Sequence, residues 1–241
     1  MGIVKVEQAT ELSGDLCHRE LVAGQLDMYV EYTGTAFTSI LKHPPISDPR
    51  AVYDQVKADY ASLFKLEWLQ PLGFNNTFAI LVRGEDARKL ELKNISDAVK
   101  YAVNWRAGFG QDFMSRKDGY PGFVQTYGLH FAEPPREMDL SLSYQALANK
   151  QVDLIAGNST DGLIEKLGLV QLEDDRHYFP PYEAAPIIRQ DTLDRYPQVG
   201  GAVNRLAGRI TNEEMRKLNY GVDAEKRDVK AVVREFLAGV P

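Results

Sequence analysis

The chain has 241 residues, 44% of them hydrophobic and 26% charged, enough to bury a core as one large domain or as two lobes of roughly 100 residues each. A formal net charge of −6 leaves no basic stripe to displace counterions from phosphates, which excludes nucleic acid as a partner. The one cysteine, Cys17, excludes an internal disulfide and a cysteine-based zinc site, and no run approaches the roughly 20 apolar residues of a membrane-spanning helix.

The pattern along the chain is short apolar strands alternating with amphipathic helices. Ile3–Gln8 reads as a strand with no secretory signal before it, and a helix follows over about Asp15–Ala23. Leu26–Tyr32 is a second strand, and Thr33–Lys42 starts another helix. Pro49 suits the first turn of the next helix, with Asp48 as its cap and Val52, Val56, Tyr60 and Leu63 on one face. Leu66–Leu72 and Thr77–Val82 follow as strands. A helix around Ile95–Tyr101, a strand near Val103–Ala107 and helices over Gly110–Ser115 and Pro121–Tyr127 come next. Leu142–Asn149 is helical, Val152–Ala156 is a buried-type strand and Gly162–Leu167 is a short helix. Gln171–Asp174 and Ala184–Arg189 complete the strands. The end is helical, over Asp191–Tyr196, Gly200–Gly208 and Asn212–Leu218, with a capping-box pattern from Thr211 to Glu214. Asp223 is placed to cap a last helix bearing Val229, Val232, Val233 and Phe236.

This alternation predicts α/β layers with largely parallel sheets. Gln70–Thr77 and Phe179–Pro186, rich in Pro, Gly, Asn and aromatics, read as two crossings between lobes. Residues 76–182 would then form one lobe, and 1–75 joined with 183–241 the other. Ligands of such folds sit between the lobes.

Several segments carry candidate binding chemistry. In Glu31-Tyr32-Thr33-Gly34-Thr35 a strand ends at an aromatic and a helix begins, turning backbone N–H groups toward the cleft. The same residues also suit a Thr cap beside a buried Tyr. Gly157-Asn158-Ser159-Thr160-Asp161-Gly162 repeats the form in the other lobe. The aromatic run from Arg176 to Tyr182 could hold a cation on its ring faces or merely stiffen a hinge. Asn75 and Asn76 can bridge strands or hydrogen-bond a ligand, and Arg116 can clamp a carboxylate. An enzyme fits poorly. His18, His43, His130 and His177 have no metal-binding spacing, and no nucleophile elbow or phosphate-binding glycine loop is present. Cys17 falls on a predicted helix face, where packing is its expected role.

Five ordered blocks, Gly24–Thr35, Gly73–Ala79, Arg116–Gly122, Val152–Gly162 and Phe179–Pro186, resemble the substrate-binding proteins of osmoprotectant ABC importers, the glycine betaine/carnitine/choline (OpuBC/OpuCC/ProX-like) family. The resemblance implies a two-lobed, type II periplasmic-binding-protein fold closing on a quaternary-ammonium ligand for delivery to a membrane permease, with no cofactor. Carried over by position, Tyr32 and Tyr182 match walls of the family's aromatic box. Thr35 and Arg116 match carboxylate-side residues, and Asn76–Phe78 lies where another part of the box is expected.

There are two departures. Asn158 stands where the family's common form has a Tyr, which removes one wall and supplies an amide. The expected ligand is therefore larger and more polar than glycine betaine, such as carnitine or ergothioneine. The family's first strand and helix, which carry a carboxylate-binding Lys, also have no counterpart before Ile3. This predicts a gap in the first lobe's sheet and self-association through it. The intact protein is expected in the periplasm or anchored at the cell surface. The alternative is a ligand-sensing domain of a receptor or regulator, since the same architecture serves sensory proteins.

Overall fold

The computed structural model describes residues 5–9, 14–116 and 118–239. Two sheets organise them. The first contains β1 (Met28–Tyr32), β2 (Leu66–Trp68) and β8 (Ala184–Arg189) in the order β1-β8-β2. The second contains β3 (Phe78–Arg83), β4 (Ala107–Phe109), β5 (Arg136–Glu137), β6 (Leu154–Asn158) and β7 (Leu169–Leu172) in the order β5-β4-β6-β3-β7.

The expectation of largely parallel sheets is not met. β8 runs antiparallel to both neighbours, and β3 runs antiparallel to β6 and β7, while only the β4–β5 and β4–β6 pairs are parallel. The crossings explain the reversal. β3 enters its sheet at the edge where β6 ends, so Phe78, its first residue, pairs with Asn158, the last of β6. β8 likewise enters where β1 ends, so Ala184 pairs with Tyr32. The crossings also run side by side: Asn75 and Glu183 form an antiparallel bridge, and the Asn76 amide donates to the Tyr182 carbonyl at 2.9 Å.

Each sheet is covered as its side-chain period requires. In β3, Ile80 and Val82 face a core with Phe109, Phe113 and Phe123, while Ala79 and Leu81 face another with Tyr144 and Leu147. The three-stranded sheet packs Trp68 and Ile187 against Val52, Val56 and Tyr60 of the Pro49–Phe64 helix. Asp48 caps that helix by accepting from the Arg50 and Ala51 amides, and Lys65 ends it in the left-handed region. Leu63, expected on the buried face, is 64% exposed.

Other boundaries differ from expectation. Residues 5–9 carry no strand, and the beginning of the expected Ile3–Gln8 strand lies outside the described residues. The strand expected near Val103–Ala107 lies at Ala107–Phe109, because the preceding helix runs on to Ala102. Gly84–Leu90 is a helix that the apolar pattern did not signal, since only Gly84 and Ala87 in it are buried. The Asn212–Asp223 helix absorbs Asp223, so Asp228 caps the last helix instead, accepting from the Ala231 amide at 3.0 Å. Thr211 accepts from the Glu214 amide, which makes only half of the expected box.

Candidate functional site

The ends of β1 and β6, the start of β3 and both crossings are tied together by strand pairing and by the bonds of Asn76 to Tyr32, Thr160 and Tyr182. Tyr182, in the second crossing, is buried, and Gly34 lies flat against its ring. A Cβ at Gly34 would stand 2.8 Å from two ring carbons and 2.6 Å from the Pro181 carbonyl oxygen. Because that oxygen is backbone, it cannot swing aside. Gly34→Ala is therefore expected to displace Tyr182 and lower both the melting temperature and any ligand affinity. A variant with wild-type melting and binding would contradict this packing.

The expected Thr-capped helix after Tyr32 is instead a π-helix, Thr35–Ile40, whose cap position is held by Gly34 without a side-chain bond. Thr33 is buried and used otherwise. Its hydroxyl donates to the Pro181 carbonyl at 3.3 Å and accepts from the Glu183 amide at 3.1 Å, fastening the end of β1 to the second crossing. Thr35 stands at the start of the π-helix, immediately after the glycine that abuts Tyr182.

On the far side of Tyr182 lies Arg116, which follows the Gln111–Ser115 helix. Its guanidinium carbon is 5.6 Å from the Tyr182 ring centroid and 5.5 Å from that of Phe78, so both rings already present a face to a cation. Asp118 orients it bidentately, with Nε–Oδ1 at 2.9 Å and Nη2–Oδ2 at 2.8 Å. The Tyr182 hydroxyl completes the cluster, accepting from Arg116 and donating to Asp118. Burial, reinforced by the Asp118 carboxylate, pushes that hydroxyl well above the ordinary tyrosine range. For Asp118, burial acts to raise the carboxyl, but the bonds from Arg116 and Tyr182 outweigh it and hold the group below its usual range.

A pH dependence follows. A carboxyl depressed in the folded state contributes stability above its unfolded value of about 4, and that stability is lost as pH falls through the lower folded value. Asp118→Asn is therefore expected to melt below wild type at pH 7, with the gap narrowing in acid below about pH 4. A gap that stays constant across that window would contradict the assignment.

Phe78 rests edge-on against Phe113 at 5.0 Å, which fixes its ring from behind. Opposite it, the Asn158 amide nitrogen lies 3.4 Å from both carboxylate oxygens of Asp161. Tyr32 closes the other side, its ring edge-on to Phe74 at 6.4 Å and its hydroxyl accepting from Asn76 Nδ2 at 3.5 Å. Burial raises the Tyr32 hydroxyl pKa, which keeps it protonated. Asn76 Oδ1 accepts from Thr160 at 2.7 Å, whereas Asn75 Oδ1 accepts from the Tyr182 amide at 2.6 Å. Asn75 is thus committed to the hinge, while Asn76 faces the cleft residues.

The structure therefore joins Tyr32, Asn76, Phe78, Arg116, Asn158 and Tyr182 through a chain of contacts, with Thr35 beside them. The sequence reading missed Asp118 and Gly34. The two-residue spacing of Arg116 and Asp118 was the available signal for the first, and only the close approach of two distant segments reveals the second. A cavity of about 500 Å³ opens next to Phe78 and Asn158 on the β3–β6 side, where Asp112, Glu137 and Asp139 add negative charge. Tyr32, Thr35, Asn76, Arg116 and Tyr182 lie outside its lining. Among the described residues no cluster of His, Cys, Asp or Glu could hold a metal ion. Cys17 sits half-buried on the Gly14–Ala23 helix, where burial raises its thiol pKa and disfavours the reactive thiolate.

Comparison with known proteins places this geometry in context. A family model described as the substrate binding domain of ABC-type glycine betaine transport systems matches residues 1–239. The chain is 35% identical over 237 residues to the carnitine transport binding protein OpuCC of Listeria monocytogenes, covering 97% of this chain and 77% of that protein. It is 34% identical over 220 residues to the ergothioneine transport permease/ergothioneine binding protein EgtU of Helicobacter pylori. That match covers 91% of this chain but only 39% of the relative, so the chain spans about two fifths of its length. A crystal structure described as a glycine betaine/carnitine/choline ABC transporter superposes with a TM-score of 0.89 at 35% identity, covering 94% of this chain and 83% of that one. Apo YehZ from Escherichia coli gives 0.80 at 26% identity, covering 94% and 84%.

Proposed function

This chain belongs to the family of substrate-binding domains of ABC-type glycine betaine transport systems, and from that premise we propose that it binds a quaternary-ammonium solute between two lobes and presents it to a membrane permease. The observation that carries the reading is the gathering of aromatic side chains around Arg116, whose guanidinium carbon lies 5.5 Å from the Phe78 and 5.6 Å from the Tyr182 ring centroid, with Tyr32 bonded to Asn76 nearby. A trimethylammonium group is drawn to aromatic side chains of such a cluster, and a carboxylate to the guanidinium they surround. Residues 1–75 with 183–241 form one lobe and 76–182 the other, hinged at the paired crossings.

Within this reading Tyr32, Phe78 and Tyr182 wall the cationic end. Thr35 and Arg116 receive a carboxylate, Arg116 being pre-oriented by Asp118. Asn76 and Asn158 supply amides to the ligand's polar part. The cavity beside Phe78 and Asn158 gives room for more than a glycine betaine, and its carboxylates disfavour a second anionic group. Carnitine and ergothioneine, named in relatives, both combine a trimethylammonium with such bulk.

Ligand binding favours the closed lobes, and closure rather than chemistry is the output, so the chain is not an enzyme. The site of action is outside the cytoplasmic membrane, in the periplasm or at the cell surface. No helix among the described residues is long and apolar enough to cross a membrane. A thermal-shift screen of glycine betaine, choline, carnitine and ergothioneine tests the proposal. A ligand at 100 times its Kd stabilises by about 2.7 kcal/mol, so at least one should raise the melting temperature. A screen in which none does would remove the reading.

A further inference from the structure

The Asn212–Asp223 helix touches both sheets' territories. Its Met215 and Leu218 pack with Leu72, Phe74 and Ile210 on one side. On the other, Arg216 Nη1 donates to the Ser159 carbonyl at 3.2 Å and Asn219 Nδ2 donates to the Thr160 carbonyl at 2.9 Å. The approach is backbone-close: a Cβ at Gly162 would stand 2.5 Å from the Tyr220 amide nitrogen and 2.7 Å from its α-carbon. At its start the helix also fastens a crossing, since Asn212 Oδ1 accepts from the Asn75 amide at 2.7 Å.

The turn held in this way is the one that ends β6 and carries Asn158. From it Thr160 reaches Asn76, and Asn76 reaches Tyr32. The helix's apolar face shares the Leu72–Phe74 cluster with Tyr32, whereas the side-chain hydrogen bonds of Arg216 and Asn219 go to the turn. We infer that Arg216 and Asn219 are positioning residues for the binding site, holding the Asn158–Asp161 turn at the distance from β1 at which Asn76 bonds Tyr32. This rests on the cleft being the ligand site as proposed above. It extends that reading by making the C-terminal segment a determinant of affinity without ligand contact.

The chemistry favours positioning over simple packing. Both donors go to main-chain carbonyls of one turn, which fixes where that backbone lies whatever side chains it bears. Glycine at 162 is the only residue that permits the contact without displacing backbone atoms. A purely structural helix needs only its apolar face, which Met215 and Leu218 already supply.

Two measurements test this on the full chain. In Asn219→Ala, amide hydrogen exchange at residues 159–161 should quicken at least tenfold without any ligand, while the β3 amides and those of residues 154–157 keep wild-type protection. Unchanged exchange in the turn would overturn the inference. The second is calorimetry with whichever probe from the betaine screen binds, on wild type, Asn219→Ala, Tyr32→Phe and the double variant. Asn219→Ala should weaken binding about five- to thirtyfold, and by clearly less in the Tyr32→Phe background, because the path ends at that hydroxyl. Losses that simply multiply would contradict coupling through Asn76. If wild type binds none of the probes, the cleft reading fails, and the exchange result still decides the positioning claim.

Discussion

Tyr182→Ala should weaken binding of a quaternary-ammonium ligand at least tenfold. The substitution removes a buried ring face, worth roughly 0.5–2 kcal/mol toward a desolvated cation. It also removes the hydroxyl that stands between Arg116 and Asp118, so the guanidinium loses its fixed pose and must be ordered again when ligand arrives. Tenfold corresponds to about 1.4 kcal/mol, within the roughly 1–3.5 kcal/mol that the ring face and an ordering cost of about 0.5–1.5 kcal/mol for the guanidinium give together. Tyr182→Phe separates them. It keeps the face and loses the hydroxyl, so it should fall between wild type and Tyr182→Ala. Calorimetry showing unchanged affinity in the alanine variant would sink the aromatic-box model of this cleft.

The second large effect is on stability. Phe113 is 2% exposed and stands at the centre of an aromatic cluster, with Phe109 at 4.9 Å, Phe78 at 5.0 Å, Phe123 at 5.7 Å and Phe179 at 6.2 Å. Cutting it to alanine removes the burial of a large ring and leaves a cavity that rigid neighbours cannot fill. Such changes cost about 3–5 kcal/mol. For a domain of this size that lowers the melting temperature by roughly 6–20 °C. Because Phe78 leans on Phe113, affinity should fall together with stability. Phe113→Leu fills part of the space and should recover most of both. A melting temperature within a degree or two of wild type would show that the cluster is not packed as described.

Much of this architecture is legible in the residues, and the failures have definite causes. The Pro49–Phe64 helix could be read because a proline, a capping Asp and a 3–4 apolar spacing agree with one another. Strand direction could not. Period-two patterns look the same in either orientation, and β3 and β8 are reversed only because the chain enters their sheets from the cleft edge. Asp223 was a reasonable cap by type, but the better-placed Asp228 has the Ala231 amide within reach. The Gly84–Leu90 helix buries too little to leave an apolar rhythm.

The candidate site divides in the same way. Tyr32, Asn76, Phe78, Arg116, Asn158 and Tyr182 were proposed from ordered blocks, and the structure brings them into a chain of contacts. What the sequence could not supply is the occupancy of each group. Asn75 is consumed by the Tyr182 amide, Thr33 by the opposing crossing, and two of the Arg116 donors by Asp118. These are pairings between segments about 100 or more residues apart, or choices among equivalent polar neighbours, and local pattern carries neither.

The central claim is that the Tyr32 cleft takes a quaternary-ammonium ligand, with Asn158 admitting one bulkier than glycine betaine. Calorimetric titration of the wild-type chain with glycine betaine, carnitine and ergothioneine tests it most directly. The predicted result is one-to-one binding, with a bulkier betaine tighter than glycine betaine. Glycine betaine bound much more tightly than either would contradict the role given to Asn158, and heat from none of the three would contradict the site itself.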